Sequence, residues 1–209
     1  MKKAYLAFLL INIMFAAVIV TANTPKARKA ENTNSFYHTN KIIATEPPVI
    51  EMEELVKDPL ILAGFEWYDL PEYAPYHGTK TWENYTAISN RASKHYQLQQ
   101  FCTTDEYGFR KLEDRYVVAI GTYFHAPVGA YIDILLENGT EIPAIVGDIK
   151  SDAHTDATNT YTIHTSCATE FICDKSITRY CRGDISDVFP EWESKATSIK
   201  VYDYNYFTR

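Results

Sequence analysis

This chain of 209 residues lacks an excess of positive charge: 20 Lys and Arg stand against 27 Asp and Glu, for a net charge of −7. Nucleic acid and anionic surfaces select basic patches, so no nucleic-acid partner is expected. The common catalytic fingerprints are missing as well. No GxSxG elbow, P-loop, HExxH or dinucleotide-binding glycine pattern occurs, which removes the classes those motifs mark. Internal repeats and low-complexity tracts are absent. The four cysteines contain no CxxC pair, the spacing most structural zinc sites use. With 46% hydrophobic residues the chain has enough apolar content for one sizeable core. Its length fits one domain, or one domain with an appendage.

The N-terminus sets the expected compartment. Lys2 and Lys3 precede an apolar run over residues 4–20, interrupted only by Asn12, and Val20, Thr21 and Ala22 follow. This is the pattern of a signal peptide, and the run is also just long enough for a spanning helix. Residues 1–22 are therefore read as a signal peptide or membrane anchor. Lys26, Arg28 and Lys29 lie beyond the run, so basic residues flank both ends and do not fix an orientation. Either way the protein is expected to be secreted or held on the extracytoplasmic face of a membrane. In that compartment Cys102, Cys167, Cys173 and Cys181 suggest two disulfides. "CATEFIC" reads as a strand, which puts Cys167 and Cys173 roughly 20 Å apart, too far to bond to each other. Pairing of Cys173 with Cys181 and of Cys102 with Cys167 is preferred. A zinc site is the rival reading.

Residues 23–48 are polar and read as a linker. Residues 49–85 read as an irregular arm, with a short helix in "IEMEELVKD" and an aromatic, proline-bearing stretch, "FEWYDLPEYAPYHGTKTW". A helix is expected over 87–99. From Tyr116 the sequence turns to strands: "YVVAIGTYF", then "AYIDILLENGTEIPAIV", folded back at Asn138-Gly139, then "TEFICDK" and "SIKVYDYNYF". Asn-Gly accepts the positive φ that closes a tight hairpin. Five or six short strands with one helix suggest a small β-barrel over 86–209.

The densest polar cluster follows the second hairpin strand. "GDIKSDAHTD" places Asp148, Lys150, Asp152, His154 and Asp156 within residues 147–156. Bunched carboxylates repel, so one of them can retain a proton and serve as an acid. Asp148, at the end of an apolar run, is the best-placed candidate. A cation site is a second reading, but the EF-hand register starting at Asp152 fails. Ala157 replaces the required glycine and Ile163 the terminal glutamate. The third reading is architectural: Asp side chains accept backbone N–H bonds and shape turns. His125, following the strand in "GTYFHAPVG", is a candidate for the same end of the barrel.

The order of "YGFRKLEDRYVVAIGTYF", "DILLENGTEIPAIVGDIKSDAHTD", "EFICD" and "RGDIS" resembles double-psi β-barrel domains of exported and phage-associated proteins of Gram-positive bacteria, over roughly residues 86–202. It is more distantly similar to the three-aspartate barrel domain of membrane-bound lytic transglycosylase A and of spore and resuscitation cell-wall proteins. The resemblance implies a mainly β, six-stranded double-psi barrel with a flanking helix and arm. It implies a catalytic Asp148, with other family aspartates corresponding to Asp152 or Asp156 and to Asp174. Beside them Lys150, His154 and His125 are read as substrate-contacting residues, and Asp152 and Asp156 as assisting ones. The implied partner is peptidoglycan or another cell-surface glycan, with no cofactor and no metal. The glycine-rich stretch that follows the first aspartate in that family is replaced here by "IKSDAHTD". The same barrel in expansin-like proteins and one class of cellulases holds a glycan in a polar groove, so a non-catalytic binding module is the alternative.

Overall fold

The structure is a computed structural model. It describes residues 58–72, 79–178, 185 and 188–209, all within one compact unit, Val49–Arg209. The expected signal or anchor segment, the linker, the "IEMEELVKD" helix and Cys181 lie outside or largely outside these residues. No helix among the described residues is long and apolar enough to cross a membrane.

The fold is mainly β, built on a mixed nine-stranded sheet. In chain order it comprises α1 (Pro59–Leu62), β1 (Phe65–Asp69), β2 (Thr79–Asn84), α2 (Lys94–Phe101), β3 (Thr103–Thr104), β4 (Arg110–Leu112), β5 (Arg115–Ile120), β6 (Ala130–Leu136), β7 (Glu141–Ile149), β8 (Cys167–Cys173) and β9 (Ala196–Asn205). The main path runs β1-β9-β6-β7-β5-β4-β3, with β8 joining β5 to β2. All pairings are antiparallel except β5 with β7 and β2 with β8. The path does not return on itself, so the expected closed six-stranded barrel is not formed. The arm is not irregular either. Its aromatic stretch supplies β1 and β2, because Phe65, Trp67 and Trp82 are at ease on a pleated surface.

The Asn138-Gly139 hairpin is present. Gly139 takes φ +86°, and Ile134 faces Ile142 across the pair. The expected helix over 87–99 starts later. A 3-10 turn occupies Tyr85–Ala87, and α2 begins after Ser93, whose hydroxyl accepts the Tyr96 N–H at 3.1 Å. This N-cap satisfies a donor the helix cannot, and it delays the start past "SNRA". Strand β5 ends at Ile120, where "TYF" closes into a 3-10 turn, Thr122–Phe124.

Two apolar clusters cover the two faces of the sheet. One holds Val118, Ile120, Val146, Phe171 and Trp192. The other holds Leu98 of α2 with Val117, Ile145 and Ile172, so α2 lies on that second face. Cys102 and Cys167 are free thiols, and the preferred Cys102–Cys167 disulfide is not made. Cys102 ends α2 and donates to the Leu98 carbonyl. Cys167 begins β8 among the hydroxyls of Thr81, Thr162 and Thr165.

Candidate functional site

Asp148 owes its position to a bulge. On β5 and β7, Val118 faces Val146, but Ala119 faces Asp148, so Gly147 is the extra residue. Side chains alternate along a strand. Val146 points to one face and Gly147 to the other, and the extra residue keeps Asp148 on the α2 side instead of returning it to the core. Only glycine fits at 147: a Cβ there would lie 2.2 Å from Val117 Cγ1 and 2.9 Å from Ile172 Cδ1.

On that side Asp148 meets α2. Its Oδ1 and His95 Nδ1 form a hydrogen-bonded pair. His95 Nε2 has no hydrogen-bond partner among the described residues. The imidazole is 32% exposed and Asp148 22%. Together with Ala87, Ile88, Ser89, Asn90 and Ser93 they line a cleft of about 430 Å³. A carboxylate on one ring nitrogen fixes the tautomer and leaves the other nitrogen to exchange protons.

Behind this pair lies an ionic triad in which Glu170 is buried and Lys150 and Glu83 are partly buried. Lys150 Nζ contacts both Glu83 of β2 and Glu170 of β8. The register explains the meeting. Glu170 lies opposite Ala119 on β5, which lies opposite Asp148 on β7, while Thr81 of β2 pairs with Glu170. The small Ala119 leaves room between the acidic residues. Burial would lower the Lys150 pKa, but the two carboxylates outweigh it and raise it. Glu83 is raised: burial pushes it up, Lys150 opposes, and Asp148 and Glu170 add to the rise. Glu170 Oε1 also accepts from the Thr165 hydroxyl at 3.3 Å.

The remaining expected residues are dispersed. Lys150 belongs to the cluster, where its ammonium contacts two carboxylates. Asp156 is a loop organiser instead of an acid. Its carboxylate accepts from Thr158 N and Oγ1, Thr160 N and Tyr161 N at 2.6–3.0 Å. Burial would push its pKa up, but these bonds outweigh that and hold it below the usual carboxylate range. Asp152 is exposed and accepts the Thr122 hydroxyl at 2.6 Å. His154 is exposed in the 3-10 turn Asp152–His154. His125 lines a different cavity of about 720 Å³ with Phe65, Tyr68, Tyr202 and Arg209. Among the described residues no group of three or more His, Cys, Asp or Glu is arranged to hold a metal ion.

Sequence reasoning missed His95, Glu83 and Glu170. One signal for Glu170 was available: the lone charged residue of "CATEFIC" must find a cation if that strand is buried. No protein-family model, curated protein or solved structure matches the chain.

Proposed function

We propose that the protein is exported, secreted or anchored on the extracytoplasmic face of a bacterial membrane, and cleaves the glycan strands of peptidoglycan by acid/base catalysis at the Asp148–His95 pair. The observation that carries the reading is this pair, set in an open cleft with an unengaged ring nitrogen. Among the described residues, Asp148 is the cleft's only acidic lining residue. A hydrolase that activates water across the ring needs a second carboxylate there. A lytic transglycosylase needs one acid/base group, because the sugar's own hydroxyl attacks. In this reading Asp148 orients and stabilises the imidazolium. His95 Nε2 gives its proton to the glycosidic oxygen as the C–O bond breaks, then takes the proton of the attacking hydroxyl, so the pair is regenerated. Ser89 and Asn90 provide polar groups at the rim. Kinship with the double-psi family remains part of the proposal. It rests on the order of the quoted segments and not on barrel closure.

A second reading is a non-catalytic glycan- or protein-binding module. It is favoured by Phe65 and Trp67, 52% and 44% exposed on the edge strand β1. Incubating the full chain with purified peptidoglycan and reading products by mass spectrometry separates the two. Anhydro-sugar ends from wild type, lost by at least about 100-fold in Asp148→Asn and His95→Gln, are expected. Retention on insoluble peptidoglycan with no release, unchanged in both variants, would replace catalysis with binding.

A further inference from the structure

The larger cavity beside β1 sits at an irregularity of the sheet. Ala130 pairs with Asn205 and Ile132 with Val201, so β6 advances two residues while β9 advances four. The extra residues, within 202–204, form a bulge that bends β9. The cavity, about 720 Å³, is lined there by residues 201–205 and the small Ala130, and ligand sites commonly span roughly 300–1,000 Å³. Its walls are held in place. Tyr68 stands edge-on to Tyr123, Phe124 and His125, with ring centroids 6.1, 6.3 and 6.1 Å away, and its hydroxyl donates to Glu66 Oε2 at 2.7 Å. Phe65 stands edge-on to Tyr202 at 6.2 Å. His125 closes the 3-10 turn Thr122–Phe124 at φ +50°, a left-handed conformation that histidine adopts only at a cost. Glycine would take it freely, so a strained histidine in a cavity wall points to a use for its ring.

The lining selects the ligand class. Among the described residues, the His125 ring, the Asp203 carboxylate and Glu66 Oε1 have no hydrogen-bond partner. An anionic ligand would face two carboxylates, while Arg209, the lining cation, is already bonded to Glu113 and lies 4.3 Å over Tyr206. A cationic ligand would meet Lys200, which lies 4.8 and 5.0 Å over the Phe65 and Tyr202 rings. A neutral sugar chain suits both features. Its C–H faces lie on aromatic rings, and its hydroxyls donate to carboxylates and imidazole. We propose that this cavity is a second glycan subsite, holding a neutral oligosaccharide with Phe65 and Tyr68 as stacking walls and Glu66, Asp203 and His125 as hydroxyl partners. Its ligand class rests on the glycan reading above, but the subsite needs no cleavage. It shares no lining residue with the Asp148–His95 cleft, so it retains the protein on its polymer whether or not that cleft is filled.

The test is amide NMR of the full chain carrying Asp148→Asn, which removes turnover under the catalytic reading, titrated with soluble N-acetylglucosamine oligomers. Shifts are expected to cluster at residues 64–68, 125 and 201–205. Phe65→Ala and Asp203→Ala, both at exposed positions, should each weaken binding by at least about fivefold. No shifts, shifts confined to His95 and its neighbours, or binding indifferent to both substitutions would overturn the proposal. A stronger response at the same residues to tetramethylammonium or to inorganic phosphate would overturn it too, because the site would then take a charged ligand. If either variant does not fold, the map of shifts decides alone. The peptidoglycan product assay is separate. Binding here without cleavage leaves the subsite and removes the catalytic reading, and cleavage without binding here does the reverse.

Discussion

Asp156 and Lys150 illustrate how differently two charged residues of one short segment are used. Asp156 receives four hydrogen bonds from its own loop, so Asp156→Asn should cost about 2–3 kcal/mol at neutral pH. Its pKa is lowered in the folded state. The stability it gives is therefore present above the unfolded aspartate value and lost as pH falls through the folded value. Denaturant melts of wild type and variant should converge in acid. Lys150→Met strands two carboxylates, and about 3–5 kcal/mol should be lost near neutral pH. Glu83 is raised, so its protonation on mild acidification should recover part of that loss. A penalty that does not shrink as pH falls would contradict the ionic account. At this scale the sequence was legible in part. The segment 147–156 stands out by its charge, but composition could not say which carboxylate faced α2 and which faced its own backbone. That division depends on one inserted residue.

The inserted residue belongs to the scale of elements. Gly147→Ala should destabilise the protein by about 1–3 kcal/mol or more, because the new Cβ meets Val117 and Ile172 in packed surroundings. Relief of the clash by straightening β7 would also turn Asp148 away from His95, so the His95 ring signals should move even in folded molecules. The cap of α2 is the second lever. Ser93→Ala removes the bond to Tyr96 N, at about 1 kcal/mol, measured as a shift in unfolding midpoint. The β6–β7 hairpin was legible because Asn138-Gly139 is a local signal. Strands β1 and β2 were hidden among prolines and aromatics, and their partners lie far along the chain. Helix α2 carries a mix of polar and apolar residues, KHYQLQQF, so periodicity marked its existence better than its start. His95 and Gln99 share a stripe one turn apart, yet nothing local ties that stripe to Asp148.

At the scale of the whole molecule, the mainly β character was readable from composition and turn signals, but closure was not, since it depends on which edges meet. The cysteine reading makes the same point. Cys102 packs against the second cluster and Cys167 sits in a threonine network. Burial pushes the Cys102 thiol up to about 11, with Arg110 opposing, so it should alkylate slowly at pH 8 in the folded state. Denaturation with iodoacetamide and no reductant should label both Cys102 and Cys167, as mass spectrometry will read. A bridge between them would leave both unlabelled and would be worth about 4 kcal/mol for so long a loop. The pairing pattern also dictates an order of assembly. Phe65 pairs with Tyr202, and Trp82 with Phe171, so two strands made early must wait for partners made late. Contacts this distant along the chain close slowly, and waiting strands are the kind of surface chaperones cover. Helix α2, β5 and β7 are all made before β8. During synthesis His95 and Asp148 are thus available to meet while Lys150 still lacks Glu170, and the counter-charges of the site are completed last.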